Sequence, residues 1–249
     1  MPSLGSHLAK ARLLAHRLAH RDIDADRGSY YLGATAPDVR IITRGEREHT
    51  HFFTLDELER QDSVSRMLAA HPRLALPGGL DEPTRAFMAG YLTHLLMDEH
   101  YIERIYREYF GAHSALRGDP RADLLDRVIQ YEWDRRERER TDEMSAIREA
   151  MASTGALADV EFIERETLRQ WRDVAVDMAS HPPTWDRFVR VATRHLRGRP
   201  EAEQQAADLL AEVPALLREV IDHVTEERME QFMDEATEAA AQRVREYLQ

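Results

Sequence analysis

Residues 90–100 read GYLTHLLMDEH, and in this leucine-rich stretch His94 and Asp98 stand four residues apart. On a helix such residues are neighbours, with Cβ atoms about 5–6 Å apart, so one imidazole and one carboxylate reach the same ion. A carboxylate on an apolar face has to be paired or coordinated, because burying its bare charge is too costly. The plainer alternative is a buried His–Asp hydrogen bond that fixes two helices. The chain contains no cysteine, so disulfides and thiolate metal sites are excluded. Any metal has to be held by His, Asp and Glu.

Other residues of the same chemistry are scattered along the first half. Asp38 directly follows Pro37, where the backbone is stiff, and His51 stands between Thr50 and two phenylalanines. His7 falls on an apolar stripe with Ala11, Leu14 and Leu18, spaced as one face of a helix. Each also has an ordinary reading, as a turn-forming or capping Asp, a loop His and a core His. His100, two residues beyond Asp98, faces another side of the helix. His223 and Glu227 form one further pair at helical spacing, of a kind common on exposed helices. There is no His-Asp dipeptide, no H-E-x-x-H and no paired Glu-x-x-His on helices. These absences disfavour HD-type phosphohydrolases, zincin proteases and di-iron bundles.

Taken in chain order, Ser6-His7, Gly33-Ala34-Thr35-Ala36-Pro37-Asp38, Thr50-His51-Phe52 and the Gly90-Tyr91-x-x-His94-x-x-x-Asp98 segment form a pattern. It resembles the zinc-dependent phospholipase C family, which shares its all-α fold with the S1/P1-type nucleases. The resemblance covers roughly residues 6–105 and implies one Zn²⁺ site made by Asp38, His51, His94 and Asp98. His7 would serve a neighbouring metal that shares Asp98 as a bridge, and Asp38 would also orient the attacking water. The His223–Glu227 pair is the formal counterpart of a later family motif, so two or three metals are conceivable in the family pattern. Arg104 stands where secreted members carry another His. The activity implied is hydrolysis of phosphate esters, in a small molecule or a lipid headgroup, with Arg40 or Arg104 as phosphate-binding cations. A helical protein with a structural, non-catalytic metal is the alternative reading, and a metal-free helical interaction protein is the third. Sites of His and carboxylate also accept divalent metals other than zinc.

The elements that must position these residues are helical almost throughout, with few β-branched runs. Helices are expected after Ser6 as cap, over 55–70, over 84–110 and from Pro120 to about 140. Further ones are expected over 142–154, 157–179, 183–197, 201–212 and 214–247, with a loop holding Gly28, Gly33 and Pro37. The expected architecture is one all-α domain over residues 1–249. In it, residues 1–110 carry the metal site and 111–249 form covering helices, including a solvated charge run at 134–140. Asp and Glu number 46 against 34 Lys and Arg, a net charge of −12. That balance gives no electrostatic reason to bind nucleic acid or an anionic membrane surface. Without a secretory-type leader or a long apolar run, a cytoplasmic protein is expected.

Overall fold

A computed structural model describes residues 3–55, 57–155, 157–194 and 201–249. Among them every regular element is helical. Helix α1 (Leu4–Leu18) starts earlier than expected, with Ser3 at its cap and Ser6 buried inside it. His7, Ala11 and Leu14 are buried, as their spacing requires. The segment expected as a loop is helix α2 (Arg21–Ala25), then α3 (Arg27–Gly33), then a 3-10 turn over Ala36–Val39. Asp26 starts α3 by accepting the Ser29 N–H at 2.8 Å, a cap that outweighs the poor helix propensity of Gly28. Two single turns follow, α4 (Arg40–Thr43) and α5 (Glu48–His51).

The helix expected from residue 55 is much shorter. Helix α6 (Ser63–Ala70) begins where Asp62 accepts the Ser65 N–H at 2.8 Å. Upstream, Thr54 exchanges two backbone bonds with the Gln61 amide, at 2.9 and 2.7 Å, which closes a loop in place of a helix. Helix α7 (Glu82–Tyr101) is capped by Asp81, which accepts the Thr84 N–H at 3.0 Å. Its 20 residues span about 30 Å, and the chain continues as a π-helical segment over Ile102–Phe110.

Helices α3 and α7 cross with their backbones in contact. A Cβ on Gly33 would lie 1.9 Å from the Phe87 carbonyl oxygen, and one on Gly90 would lie 1.9 Å from that of Tyr30. Glycine at both positions lets the turn bearing Asp38 lie beside the helix bearing His94 and Asp98.

The later helices are α8 (Ala122–Arg138), α9 (Thr141–Ala152), α10 (Arg165–Ser180) and α11 (Trp185–Ala192). The end expected for α11, at 197, lies outside the described residues. Helices α12 (Ala202–Val224) and α13 (Glu226–Leu248) divide differently from expectation: Pro214 sits within α12 and the break falls at Thr225. Proline inside a helix costs about 3 kcal/mol, and packing of the buried Val213 and Leu216 beside it offsets that loss.

Among the described residues the buried apolar side chains form two large cores and a small cluster of Leu14, Ala240 and Ala241. The first joins α1, α3 and the N-terminal part of α7 to Met151 of α9 and Trp171 of α10, so residues 111–249 supply core as well as cover. The second joins Met97, Tyr101 and Ile105 to α8, α11, α12 and the start of α13. Helix α7 runs through both, and His94 and Asp98 lie on the stretch where it passes from one to the other. No helix among the described residues is long and apolar enough to cross a membrane.

Candidate metal centre

Four separate pieces of chain converge on Asp98. Helix α1 supplies His7, the 3-10 turn Asp38, α5 His51, and α7 both His94 and Asp98. The Asp98 carboxylate faces all three imidazoles. Its Oδ1 is 3.2 Å from His7 Nε2, and its Oδ2 is 3.3 Å from His51 Nε2 and 3.6 Å from His94 Nε2. His51 Nε2 is also 3.6 Å from Asp38 Oδ1. The donor atoms of His7, His94 and Asp98 all lie within 4.8 Å of one another, as do those of Asp38, His51 and His94.

These contacts are not hydrogen bonds. All three Nε2 atoms and Asp98 Oδ1 are buried without a hydrogen-bond partner. Two donors at about 2.0–2.2 Å from a tetrahedral ion stand about 3.3–3.6 Å apart, and the four N···O separations fall in or beside that range. The chemistry of the outer partners points the same way. The Ala34 carbonyl can only accept, so His94 donates Nδ1–H to it at 2.9 Å. Thr50 Oγ1 donates to the Pro37 carbonyl at 2.8 Å and so accepts Nδ1–H from His51 at 3.1 Å. With Nδ1 carrying the hydrogen in both rings, each neutral imidazole aims a bare Nε2 lone pair at a carboxylate. Only a proton or a cation between them makes that arrangement favourable, and a backbone or hydroxyl partner on the far nitrogen is the usual support of a metal-bound His.

Local structure explains how these groups are held. Thr50 ties α5 to the Asp38 turn, and the Tyr91 hydroxyl of α7 donates to the Thr50 carbonyl. Phe52 ends α5 in the left-handed region, φ 53°, at a cost of roughly 1–2 kcal/mol for a residue with a Cβ. Edge-on contacts with His71 and Phe162 hold its ring there. On the other side, Trp171 Nε1 donates to Thr35 Oγ1 at 3.1 Å and pins the loop just before Asp38.

The electrostatics follow from burial and from these partners. Burial pushes the Asp98 carboxyl up, but His94, His51 and His7 outweigh it and hold it well below the ordinary carboxylate range. Asp38 is held low in the same way by His51 and His94, against its own burial. Burial lowers His7, and so does the charge of His94, whose ring stacks on it at 3.8 Å and 9°. For His94, burial is outweighed by Asp98 and Asp38, and its pKa is raised.

Of the residues expected at a site, His7, Asp38, His51, His94 and Asp98 are brought together. The others are elsewhere. His100 spends Nδ1 on the Leu96 carbonyl at 2.9 Å and faces a surface cavity. His223 pairs through Nε2 with the Tyr109 carbonyl at 2.8 Å and packs on Tyr109 and Phe110. Glu227 is exposed on α13, beyond the break at Thr225, so the helical spacing assumed for that pair does not exist. Arg104 is exposed on the π-helical segment and lines the same surface cavity as His100.

Sequence reasoning missed Arg47. Its guanidinium donates to Asp98 Oδ2 at 2.9 Å and to the Phe53 carbonyl at 3.3 Å. The available signal was its position one turn before His51, in a stretch that reads as a charged loop.

Compared with family models, curated proteins and solved structures, the chain matches none.

Proposed function

We propose that the protein is a divalent-metal-dependent hydrolase of phosphate esters, with His7, Asp38, His51, His94 and Asp98 as its metal ligands. The observation that carries this reading is the set of bare, buried Nε2 atoms facing Asp98 at the separations of ligands on one ion. The donor set is the one zinc takes where no thiolate is offered. The order of the motifs, similar to that of the zinc-dependent phospholipase C family, supports the choice of reaction and an all-α fold of that type. Asp98 has one oxygen toward His7 and the other toward His51 and His94, which suits a carboxylate shared by two ions. A metal bound here supplies Lewis acidity and lowers the pKa of water. The chain's own residues do the rest. Asp38 is the ligand residue most open to solvent, with 18% of its side chain exposed, so its carboxylate is placed to orient water. Arg47 holds Asp98 in place from the solvent side.

A second reading, a purely structural metal, is favoured by one observation: His7, His51, His94 and Asp98 have only 0–3% of their side chains exposed. The two are separated by elemental analysis of protein purified without a histidine tag, followed by a screen of chromogenic phosphate esters, phospholipids and nucleotides. The hydrolase reading expects metal in stoichiometric amount and a turnover abolished by chelation and by Asp38→Asn. Metal-loaded protein that turns over none of these substrates makes the structural metal the better reading. Metal-free, fully folded protein from a metal-replete preparation sinks both.

A further inference from the structure

A second concave site lies where α11 meets α8. Pro182 and Pro183 separate α10 from the short helix α11, because a residue before proline is driven out of the helical region. The new helix sets Trp185 and Phe188 against Tyr131 of α8, with ring centroids 5.2 Å apart in both pairs. Beside this contact α11, α8, the end of α10 and the start of α1 bound a cavity of about 250 Å³. Leu4, Met178, Phe188, Val191 and Ala192 make most of its wall apolar, and none of the five candidate metal ligands lines it.

The polar groups on that wall differ in what they have left to offer. Arg138 bonds to Asp134 and to the carbonyls of Met178 and His181, and Asp134 also accepts the Gly5 and Ser6 N–H groups. Tyr131 donates its hydroxyl to the Thr184 carbonyl at 2.7 Å, and Gln130 donates to Asp126 at 2.7 Å. Arg187 is half-buried, and among the described residues its guanidinium makes no hydrogen bond and no ion pair. Burial and then Arg138 pull Arg187 below its ordinary pKa, yet a guanidinium keeps its charge. The wall therefore offers apolar surface and a spare cation, with no spare carboxylate. One carboxylate matches a guanidinium fork with two parallel bonds, whereas a phosphate would press a second charge against carbon. Val191, 57% exposed, is apolar surface that the body of a ligand would cover. A dry apolar cavity of about 150 Å³ holds benzene, so this one takes an apolar body of roughly ten carbons. We propose that the cavity binds a small amphipathic carboxylate, with its apolar body against Met178, Phe188 and Val191 and its head group on Arg187.

The test titrates octanoate, octan-1-ol and acetate calorimetrically into the full chain, with and without metal. Tryptophan fluorescence is followed in parallel, because Trp185 packs on two of the rings that line the cavity. Octanoate is expected to saturate at one per chain whether or not metal is present. Octanol should bind about tenfold or more weakly, and acetate should leave the fluorescence unchanged. Arg187→Gln should lose about tenfold in octanoate affinity and leave octanol as it was, a split that a merely structural role does not produce. Ala192→Phe, which fills the cavity, should abolish binding of both; where that variant does not fold, the Arg187→Gln split decides alone. Octanoate that fails to saturate, binds no better than octanol or is indifferent to Arg187→Gln overturns the proposal. Octanoate binding that disappears on chelation also overturns it, because the carboxylate then sits on the metal centre.

Discussion

Asp98 and Asp134 are both 2% exposed, on α7 and α8, yet they are buried for different reasons. Asp134 is answered by hydrogen-bond donors. Its Oδ1 accepts the N–H groups of Gly5 and Ser6 at 2.6 and 3.2 Å, in the first turn of α1, and its Oδ2 accepts from Arg138 at 3.3 Å. Burial lifts its pKa, and Arg138 with the two amides only partly opposes that. It caps one helix from another. Asp98 has one donor, Arg47, and otherwise faces imidazole nitrogens that make no hydrogen bond. The two sites also share an element, because α1 presents Gly5 and Ser6 to Asp134 and His7 to Asp98. A buried carboxylate answered by N–H groups is part of the scaffold, whereas one facing imidazole nitrogens that make no hydrogen bond is a candidate cation site. The comparison predicts opposite responses to metal.

The largest effect is expected for Asp98→Ala. It leaves Arg47 buried without that partner and removes the group common to every imidazole contact. Breaking a buried ion pair from one side costs about 3–5 kcal/mol, which lowers the melting temperature on the order of 10 °C in a chain of this size. Metal content should fall to background. A variant that melts as wild type and still carries stoichiometric metal would remove Asp98 from the centre.

Next is Thr50→Val, which keeps the shape but leaves the His51 Nδ1–H without its acceptor. Losing the partner that orients a metal-bound imidazole lowers metal affinity about 10–100-fold. Competition with a chelator reads it directly. Unchanged affinity would mean that the Thr50 hydroxyl does not set the orientation of His51.

How much of this was legible in the sequence depends on the type of signal. Of the five candidate ligand residues, the i,i+4 step of His94 and Asp98 needs only helical geometry, whereas His7, Asp38 and His51 stood out through the resemblance of their motif order to the phospholipase C family. Arg47 did not stand out, because its partner Asp98 is 51 residues away and brought close only by folding. The missed α3 turned on a side-chain cap from Asp26 in a stretch whose glycines read as loop. The His223–Glu227 pair failed for the converse reason: it needed an unbroken helix, and Thr225 adopts φ 68° between them. Asp134 looked like one acid in a solvated charge run, and only its distance from α1 in three dimensions reveals a cap. Local spacing therefore located one His–Asp pair, while the long-range partners that decide its meaning came from the fold.

Asp134→Asn tests the other half of the comparison. An amide still accepts one backbone N–H but gives up its charge to Arg138, so stability should fall by about 1–2 kcal/mol, in the range of a lost cap. Metal content and the gain in melting temperature on adding metal should stay at wild-type values. Loss of metal in this variant would show that α1 transmits the state of Asp134 to His7, and the two sites would then have to be treated as one.

The smallest effect is a slope with pH, and its sign separates protons from metal at the same nitrogens. In metal-free protein His94 has a raised pKa, so its contribution to stability is complete below the ordinary imidazole value and is lost as pH rises through its elevated folded value. His7, lowered by burial and by His94, works against this: the unfolded chain takes up its proton first, so stability is lost as pH falls below about 6.5. The two terms partly cancel, leaving metal-free protein with a shallow dependence across the imidazole range. Metal binding has no such cancellation, because an imidazole protonated at low pH has to lose that proton before its Nε2 can bind. The gain in melting temperature on adding metal should therefore grow steadily from about pH 5 to about pH 8. Paired melts with and without metal at each pH measure it. A gain that is flat over this interval would mean that the imidazoles are not ligands, and the lone pairs around Asp98 would need another explanation.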